Sequence, residues 1–384
     1  MVDSQFYEGR GPALVKHTFI ERYLPTLIAK VASKYDHFTF VDFFAGPWSS
    51  KCPDHSDTSF DIALRAMRGA KAVWKRNGRD ILMSAHFVEE DEEAYSKLTK
   101  HKEKYPDIEI TPYPGLAEDH AGNILSGIPS GSFSFFNFDP KGVPDLAPFR
   151  QMFLRPSSEV LLTFMLKFAH RFAHTDAMPT LTSWLNELGD DDKRKSMLAQ
   201  LTGQAKEEAI TEGARRTLAK LGNYNFAPEI TVDELEKERT CYKLIFLTRH
   251  PKGIRVFRDA QIAALEAQAI NRSDAKATAR TTKTGMEDLF QAVTPFEREE
   301  RSAKEMRNGE TDARALTLEI VRSAGSEGLS WGELWPTVLD ACVVTYSQLG
   351  KILSELRSSN QVSMPNWTNA RIRVPRDEFQ IVLA

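Results

Sequence analysis

Only three cysteines occur in 384 residues, Cys52, Cys241 and Cys342, and they stand far apart with no Cys-x-x-Cys or Cys/His spacing. That scatter suggests neither a disulfide framework nor a cysteine zinc site, and no set of carboxylates clusters with a lysine as a metal-dependent nuclease would require. An excess of charge is missing as well. The 50 Lys and Arg against 53 Asp and Glu leave a net charge of -3, so any binding to nucleic acid has to come from a local patch. No apolar run reaches membrane-spanning length, and the opening Met1-Val2-Asp3-Ser4-Gln5 lacks the basic and apolar regions of a signal peptide. The expectation is a cytoplasmic protein with no membrane attachment and no metal. Its 41% hydrophobic and 27% charged residues are those of an ordinary globular chain, long enough for one large and one small domain.

Leu14, Phe19, Ile20, Leu24, Leu27, Ile28 and Val31 recur at helical spacing and predict a helix over 13–34. A near-continuous apolar run, His37 to Phe44, follows and ends at Ala45-Gly46-Pro47, which reads as a strand buried on both faces and its turn. Similar strand signals recur at 81–89, 108–113, 132–139, 159–166 and 241–248, mostly with helical patterns between them. That alternation predicts an α/β fold with a mostly parallel, Rossmann-like sheet. A helical insertion is expected at about 170–235, within a first domain spanning 1–270. Residues 271–284 are small, polar and basic, and with the charged run after them they read as a linker over 271–309. From 310 to 384 three helical patterns precede QVSMPN and ARIRVP, the order of a winged helix-turn-helix domain.

Open α/β sheets bind ligands at the carboxyl ends of their strands, so the residues there belong together. After the first strand stand Asp42, Phe44, Ala45, Gly46 and Pro47, where the glycine permits close approach to a ligand and the aspartate could meet a cationic one. After the second stand Glu89 and Glu90, placed as ribose-hydroxyl acceptors would be. After the fourth stand Asn137, Phe138, Asp139, Pro140 and Lys141. Each piece has a plainer reading: Asp42 as a turn or capping residue, the acids at 89–93 as a solvated helix start, Asp139-Pro140 as a turn initiator. Their agreement in order and strand placement favours a site.

The residues Lys16-His17-x-x-Ile20-x-x-Tyr23-Leu24, the VDFFAGP turn, FVEED and the FDPKG turn resemble the three-Cys-motif partner proteins, a Rossmann-like methyltransferase family, over about 13–260. The FDPKG turn is also similar to the Asp-Pro-Phe-Gly motif of guanine-N2 tRNA methyltransferases, and the C-terminal region to the winged helix appended to some members. The resemblance implies S-adenosylmethionine as cofactor and a cysteine-motif protein as partner. It implies that Asp42 and Gly46 border the cofactor's methionine portion, Glu89 its ribose and Asp139 the reacting centre, with Lys16 and His17 at the same mouth. Trp48 departs from the family by replacing a glycine, and Lys141 by replacing an aromatic.

Methyl transfer to a nucleophilic atom is the function expected from this set, with Asp139 and Asn137 orienting the acceptor and Phe138, Trp48 or Phe168 walling it. A base amine of nucleic acid is the favoured acceptor. Lys276, Arg280 and Lys283 in the linker, Lys351 and Arg357 on the third C-terminal helix, and Arg371, Arg373 and Arg376 along the wing are the candidate phosphate contacts. A noncatalytic binding module with the same fold is the alternative, favoured by Trp48.

Overall fold

The computed structural model describes residues 4–46, 50–284, 301–368 and 374–384, and the chain divides into two compact units between Arg249 and His250. The first unit opens with a 3₁₀ turn at Ser4–Tyr7 and α1 (Gly11–Val31). It then alternates β1 (His37–Asp42), α2 (Ser59–Arg76), β2 (Leu82–Glu89), α3 (Glu92–His101), β3 (Glu109–Pro114), α4 (Ala117–Gly127), β4 (Ser132–Phe138), α5 (Arg150–Leu154) and β5 (Ser158–Phe164). Four helices, α6 (Leu166–Phe172), α7 (Thr180–Trp184), α8 (Asp191–Gln200) and α9 (Gly203–Gly222), separate β5 from β6 (Glu229–Asp233) and β7 (Thr240–Leu247).

The seven strands form one sheet in the order β3-β2-β1-β4-β5-β7-β6. The first five are mutually parallel, and β7 runs antiparallel to both neighbours. β1 and β4 lie at the centre, buried from both faces by helices, which is why their sequences read as continuous apolar runs. Aromatic pairs lock their register: Phe38 faces Phe133 and Phe40 faces Phe135, with the second pair's rings stacked 5.9 Å apart. At the amino end, Thr39 Oγ1 meets Ser84 Oγ at 3.0 Å and Ser132 Oγ at 2.7 Å, which satisfies three hydroxyls inside the sheet.

β6 corrects the sequence reading, which continued the helical insertion to about 235. Ile230, Thr231 and Val232 are β-branched, and the strand pairs through β7 alone, so its signal in the sequence is only five residues long. Lys243 on β7 fixes the edge, donating to Glu229 Oε1 at 2.8 Å and Thr231 Oγ1 at 2.9 Å.

The second unit contains α10 (Pro251–Thr284), α11 (Arg301–Ser323), β8 (Leu329–Ser330), α12 (Trp331–Ala341), α13 (Tyr346–Ser358), β9 (Val362–Ser363) and β10 (Gln380–Leu383), with a three-stranded sheet ordered β8-β10-β9. Residues 271–284, read from composition as a linker, instead continue α10, where Arg272 and Ser273 are buried. Their small side chains carry no apolar stripe, yet they suit close helix packing. Residues 285–300 of the expected linker lie outside the described residues. The strand paired with β9 is β10, downstream of the expected ARIRVP segment. Two capping boxes, Ser330 with Glu333 and Thr345 with Gln348, start α12 and α13. Arg258 of α10 donates to Leu339 O at 2.6 Å and Asp340 O at 2.9 Å, closing the carboxyl end of α12.

One carboxyl in the first unit is buried away from the cavity described below. Glu159 of β5 accepts from Tyr23 Oη at 2.6 Å and Thr248 Oγ1 at 2.8 Å. Burial pushes its pKa up to about 7 against the opposing pull of those two hydroxyls. A raised carboxyl pKa means that the folded state holds the proton more tightly than the unfolded chain, so stability falls as pH rises from about 4.5 to about 7. Glu159→Gln removes the charge, and relative to wild type it should gain stability at pH 8 over pH 5, by at most about 3 kcal/mol. Thermal denaturation at the two pH values checks this; an equal shift at both would show that the carboxyl does not titrate on unfolding.

Candidate functional site

The strand order reverses direction between β1 and β4, and a cavity of about 640 Å³ opens at the carboxyl ends of β1, β2, β3 and β4. Beneath it lies Asp42, the last residue of β1, fully buried. Its Oδ1 accepts from the Phe44 N–H at 3.1 Å; its Oδ2 accepts from Ser59 Oγ at 3.1 Å and Asn137 Nδ2 at 2.9 Å. Burial pushes its pKa up to about 6, opposed by the bonds from Phe44 and Asn137 and by the Lys16 charge. Asp42 and Asn137 thus satisfy each other below the floor and do not line the cavity. Neither do Ala45 and Phe138, which are buried. Phe138 packs into a ring cluster with Phe43, Phe44, Phe149 and Trp184, so it is core and not a wall for an acceptor. Phe168 stands on α6, partly exposed and also away from the cavity.

Lys16, His17, Phe44, Gly46, Glu89, Glu90, Asp139 and Lys141 do line it. Glu89 ends β2, almost wholly buried. Its Oε1 accepts from the Asp91 N–H at 2.7 Å, while Oε2 is buried with no hydrogen-bond partner among the described residues. Burial raises its pKa, opposed by the Asp91 N–H and the Lys141 charge. An oxygen desolvated without a partner is costly unless a ligand's donor supplies one.

The opposite wall is α1. Lys16 forms an ion pair with Asp139 at the end of β4, and Arg10 forms one with the buried Asp57. Asp57 also accepts from Ser50 Oγ and from the Lys51 N–H at 2.9 Å, and its backbone oxygen accepts from Tyr7 Oη at 3.3 Å. Burial raises the Asp57 pKa, but the donors from Ser50, Lys51 and Arg10 outweigh it and hold the carboxyl below its ordinary value. Tyr7 Oη also meets His17 Nδ1 at 2.8 Å, which fixes the ring. Burial, then the Lys16 and Arg10 charges, lower the His17 pKa well below its ordinary value, so the imidazole is neutral near pH 7.

Arg10, Ser50, Thr58, Ser59, Gly115, Leu116 and Glu118 are lining residues that the sequence reading missed. Thr58 carried a signal, since it stands as the N-cap of α2. Gly115 carried one too: it follows β3 with φ of 109°, a region open to glycine, and its N–H bonds Glu89 O at 2.9 Å. Arg10 carried none.

Among the nucleic-acid candidates, Lys351 is exposed on α13, Arg357 lies with its guanidinium 5.2 Å from the centre of the Trp367 ring, Arg376 is exposed, and Lys276 is half-buried on α10. Pro47, Trp48, Arg371 and Arg373 lie outside the described residues, as do the side chains of Arg280 and Lys283. Among the described residues no group of histidine, cysteine and carboxylate side chains could hold a metal, and no helix is long and apolar enough to cross a membrane.

No family model matches this chain, and no curated protein does. Among solved structures, loganic acid methyltransferase with SAH aligns at a TM-score of 0.31 and 9% identity, over 80% of this chain and 91% of that one. So distant a likeness carries no weight. The strand order with its reversed β7, and the cavity at the switch point, instead define the class: an α/β protein with a Rossmann-like, mostly parallel seven-stranded sheet.

Removing the carboxylate under the floor should collapse the site. Asp42→Ala strands the Phe44 N–H, the Ser59 hydroxyl and the Asn137 amide, each costing about 1–3 kcal/mol if left buried and unpaired. A loss of at least about 3 kcal/mol in urea denaturation is expected, and a loss below about 1 kcal/mol would show that the three donors find other partners.

Proposed function

We propose that this protein transfers a methyl group from S-adenosylmethionine to an amine of a nucleic-acid base. The observation that carries the cofactor assignment is the Glu89 carboxyl at the end of β2, a residue that borders the cavity at the switch point and whose buried Oε2 has no partner among the described residues. It is placed to accept from a ribose hydroxyl, the task this position performs in dinucleotide-binding Rossmann folds. Leu116, half exposed beside it, offers an apolar flank for a purine ring, and the polar α1 wall suits the amino-acid end. When bound, the cofactor supplies an activated methyl on a sulfonium.

The chain's own part is positioning. Asp139, held by Lys16, faces the cavity where β4 ends, and would orient the acceptor amine and take its proton. Asn137 acts through Asp42 and is a positioning residue. The nucleic-acid acceptor is supported by the order α11, β8, α12, α13, β9, β10, which is that of a winged helix-turn-helix domain, and by the exposed Lys351 and Arg357. A cysteine-motif partner protein rests on the sequence resemblance alone.

Calorimetry with S-adenosylhomocysteine tests the cofactor. Glu89→Ala removes a charge-assisted acceptor worth about 1.5–3 kcal/mol, so affinity should fall tenfold or more; unchanged affinity would remove Glu89 from the site. Asp139→Asn should bind the same ligand as wild type while transferring label from methyl-labelled cofactor to total nucleic acid about 10²-fold more slowly. Undiminished transfer would leave the acceptor to another residue.

A further inference from the structure

Between Ile62 and Arg79 the chain carries six cations, Arg65, Arg68, Lys71, Lys75, Arg76 and Arg79, and no acid; between Ala94 and Lys104 it carries four lysines and a single acid, Glu103. The fold brings these two segments side by side. Buried Asp61 of α2 accepts from His101 Nε2 and Tyr105 Oη, both at 2.6 Å. Arg68 lies 4.1 Å from the centre of the Tyr105 ring and pairs with Asp107 at 2.8 Å, and Lys71 Nζ donates to Asp107 O at 2.7 Å.

Local carboxylates neutralise part of the set. Arg65 pairs with Asp61 at 3.1 Å, Arg79 with Asp36 at 2.6 Å and Lys97 with Glu93 at 2.5 Å. Lys75, Lys100 and Lys102 are exposed with no side-chain partner among the described residues, and the exposed Arg76 bonds only a backbone oxygen of its own helix. Cations near a helix's carboxyl end favour the macrodipole, which accounts for Lys75, Arg76 and Lys100 one by one. It does not account for Arg65, Arg68 and Lys71 further up α2, nor for the lysine-rich end of α3 lying against the first half of α2 with so few acids between them.

We propose that this α2–α3 face is a docking surface for the phosphodiester backbone of single-stranded nucleic acid. The inference rests on the nucleic-acid acceptor proposed above and moves the main electrostatic contact from the second unit to the first. Charge complementarity selects a polyanion. The cations run along α2 for about 16 Å from Arg65 to Arg76 at 1.5 Å per residue, and they begin about two turns from Ser59, which lines the cavity. The exposed part of the patch is cationic without large aromatic surface, so it reads backbone and not bases. A single strand can follow such a stripe and still bend an unstacked base into the cavity, whereas a duplex would first have to extrude it.

The test uses the full chain and a fluorescent oligonucleotide of about 20 nucleotides, as RNA and as DNA, titrated at several salt concentrations. Neutralising Lys75, Arg76, Lys100 and Lys102 together, each to Ala, should weaken binding at least tenfold. It should also flatten the dependence of log affinity on log salt by about 3, at about 0.7 per phosphate contact on a single strand. Affinity for S-adenosylhomocysteine should be unchanged, which shows the variant folded. Loss of cofactor binding in the wild type overturns the methyltransferase reading and leaves the surface standing. Oligonucleotide binding that survives the four substitutions, falls equally with Lys351→Ala and Arg357→Ala, favours the duplex form, or is replaced by adsorption to anionic vesicles, overturns the surface.

Discussion

The first unit depends on satisfying one carboxylate that is fully buried beneath its cavity. Asp42 sits where β1, β4 and the start of α2 converge, and its oxygens gather one donor from each direction: the backbone after β1, the Asn137 amide of β4 and the Ser59 hydroxyl of α2. Burying such a group is tolerable only when its lone pairs are filled. Because all three donors come from elements bordering the cavity, satisfying Asp42 and shaping the floor are one event. The sheet's aromatic register, Phe38 with Phe133 and Phe40 with Phe135, delivers Asp42 opposite Asn137.

From that floor α1 builds the wall. Its Lys16 and His17, with Arg10 just before it, each hold a group from another part of the unit: the end of β4, the Tyr7 turn and the 50–58 loop. Two further bonds tie α1 to the far half of the sheet, Tyr23 to Glu159 on β5 and Tyr242 of β7 to Pro12 O at 2.5 Å. The helix is therefore tied to β4, β5 and β7 along its first four turns, so its cavity-facing side chains are set by packing across the unit.

The architecture was legible wherever burial leaves an uninterrupted apolar run. Five of the seven strands announce themselves this way or nearly so; β3, an edge strand with no buried residue, was read from a polar-interrupted run, and β6, five residues long and paired through β7 alone, was not read. The carboxyl-end clusters were legible as clusters, but which members face the ligand was not. Asp42, Asn137 and Phe138 have the same sequence neighbourhood as Glu89 and Asp139; Asp42 and Asn137 sit opposite each other in register and bond inside the sheet, whereas Glu89 and Asp139 lie two residues further along their strands, at the mouth. Arg10 and Asp57 are 47 residues apart, and no local pattern reports a pairing at that separation. The stretch 271–284 misled through composition: Ala, Ser and Thr read as a linker when alone and as tight packing when helical.

The lining of the cavity has an electrostatic asymmetry with kinetic meaning. Four carboxylates, Glu89, Glu90, Glu118 and Asp139, border it. Lys16 offsets Asp139 and Arg10 is taken up by Asp57, which leaves Glu89, Glu90 and Glu118 against the single charge of Lys141. The space therefore favours an incoming positive charge. The sulfonium donor proposed above carries one and its thioether product does not, so the same walls would draw the donor in and hold the spent cofactor less tightly. Turnover would then be driven partly by the chemical step itself, since erasing the ligand's charge also weakens its hold on the site.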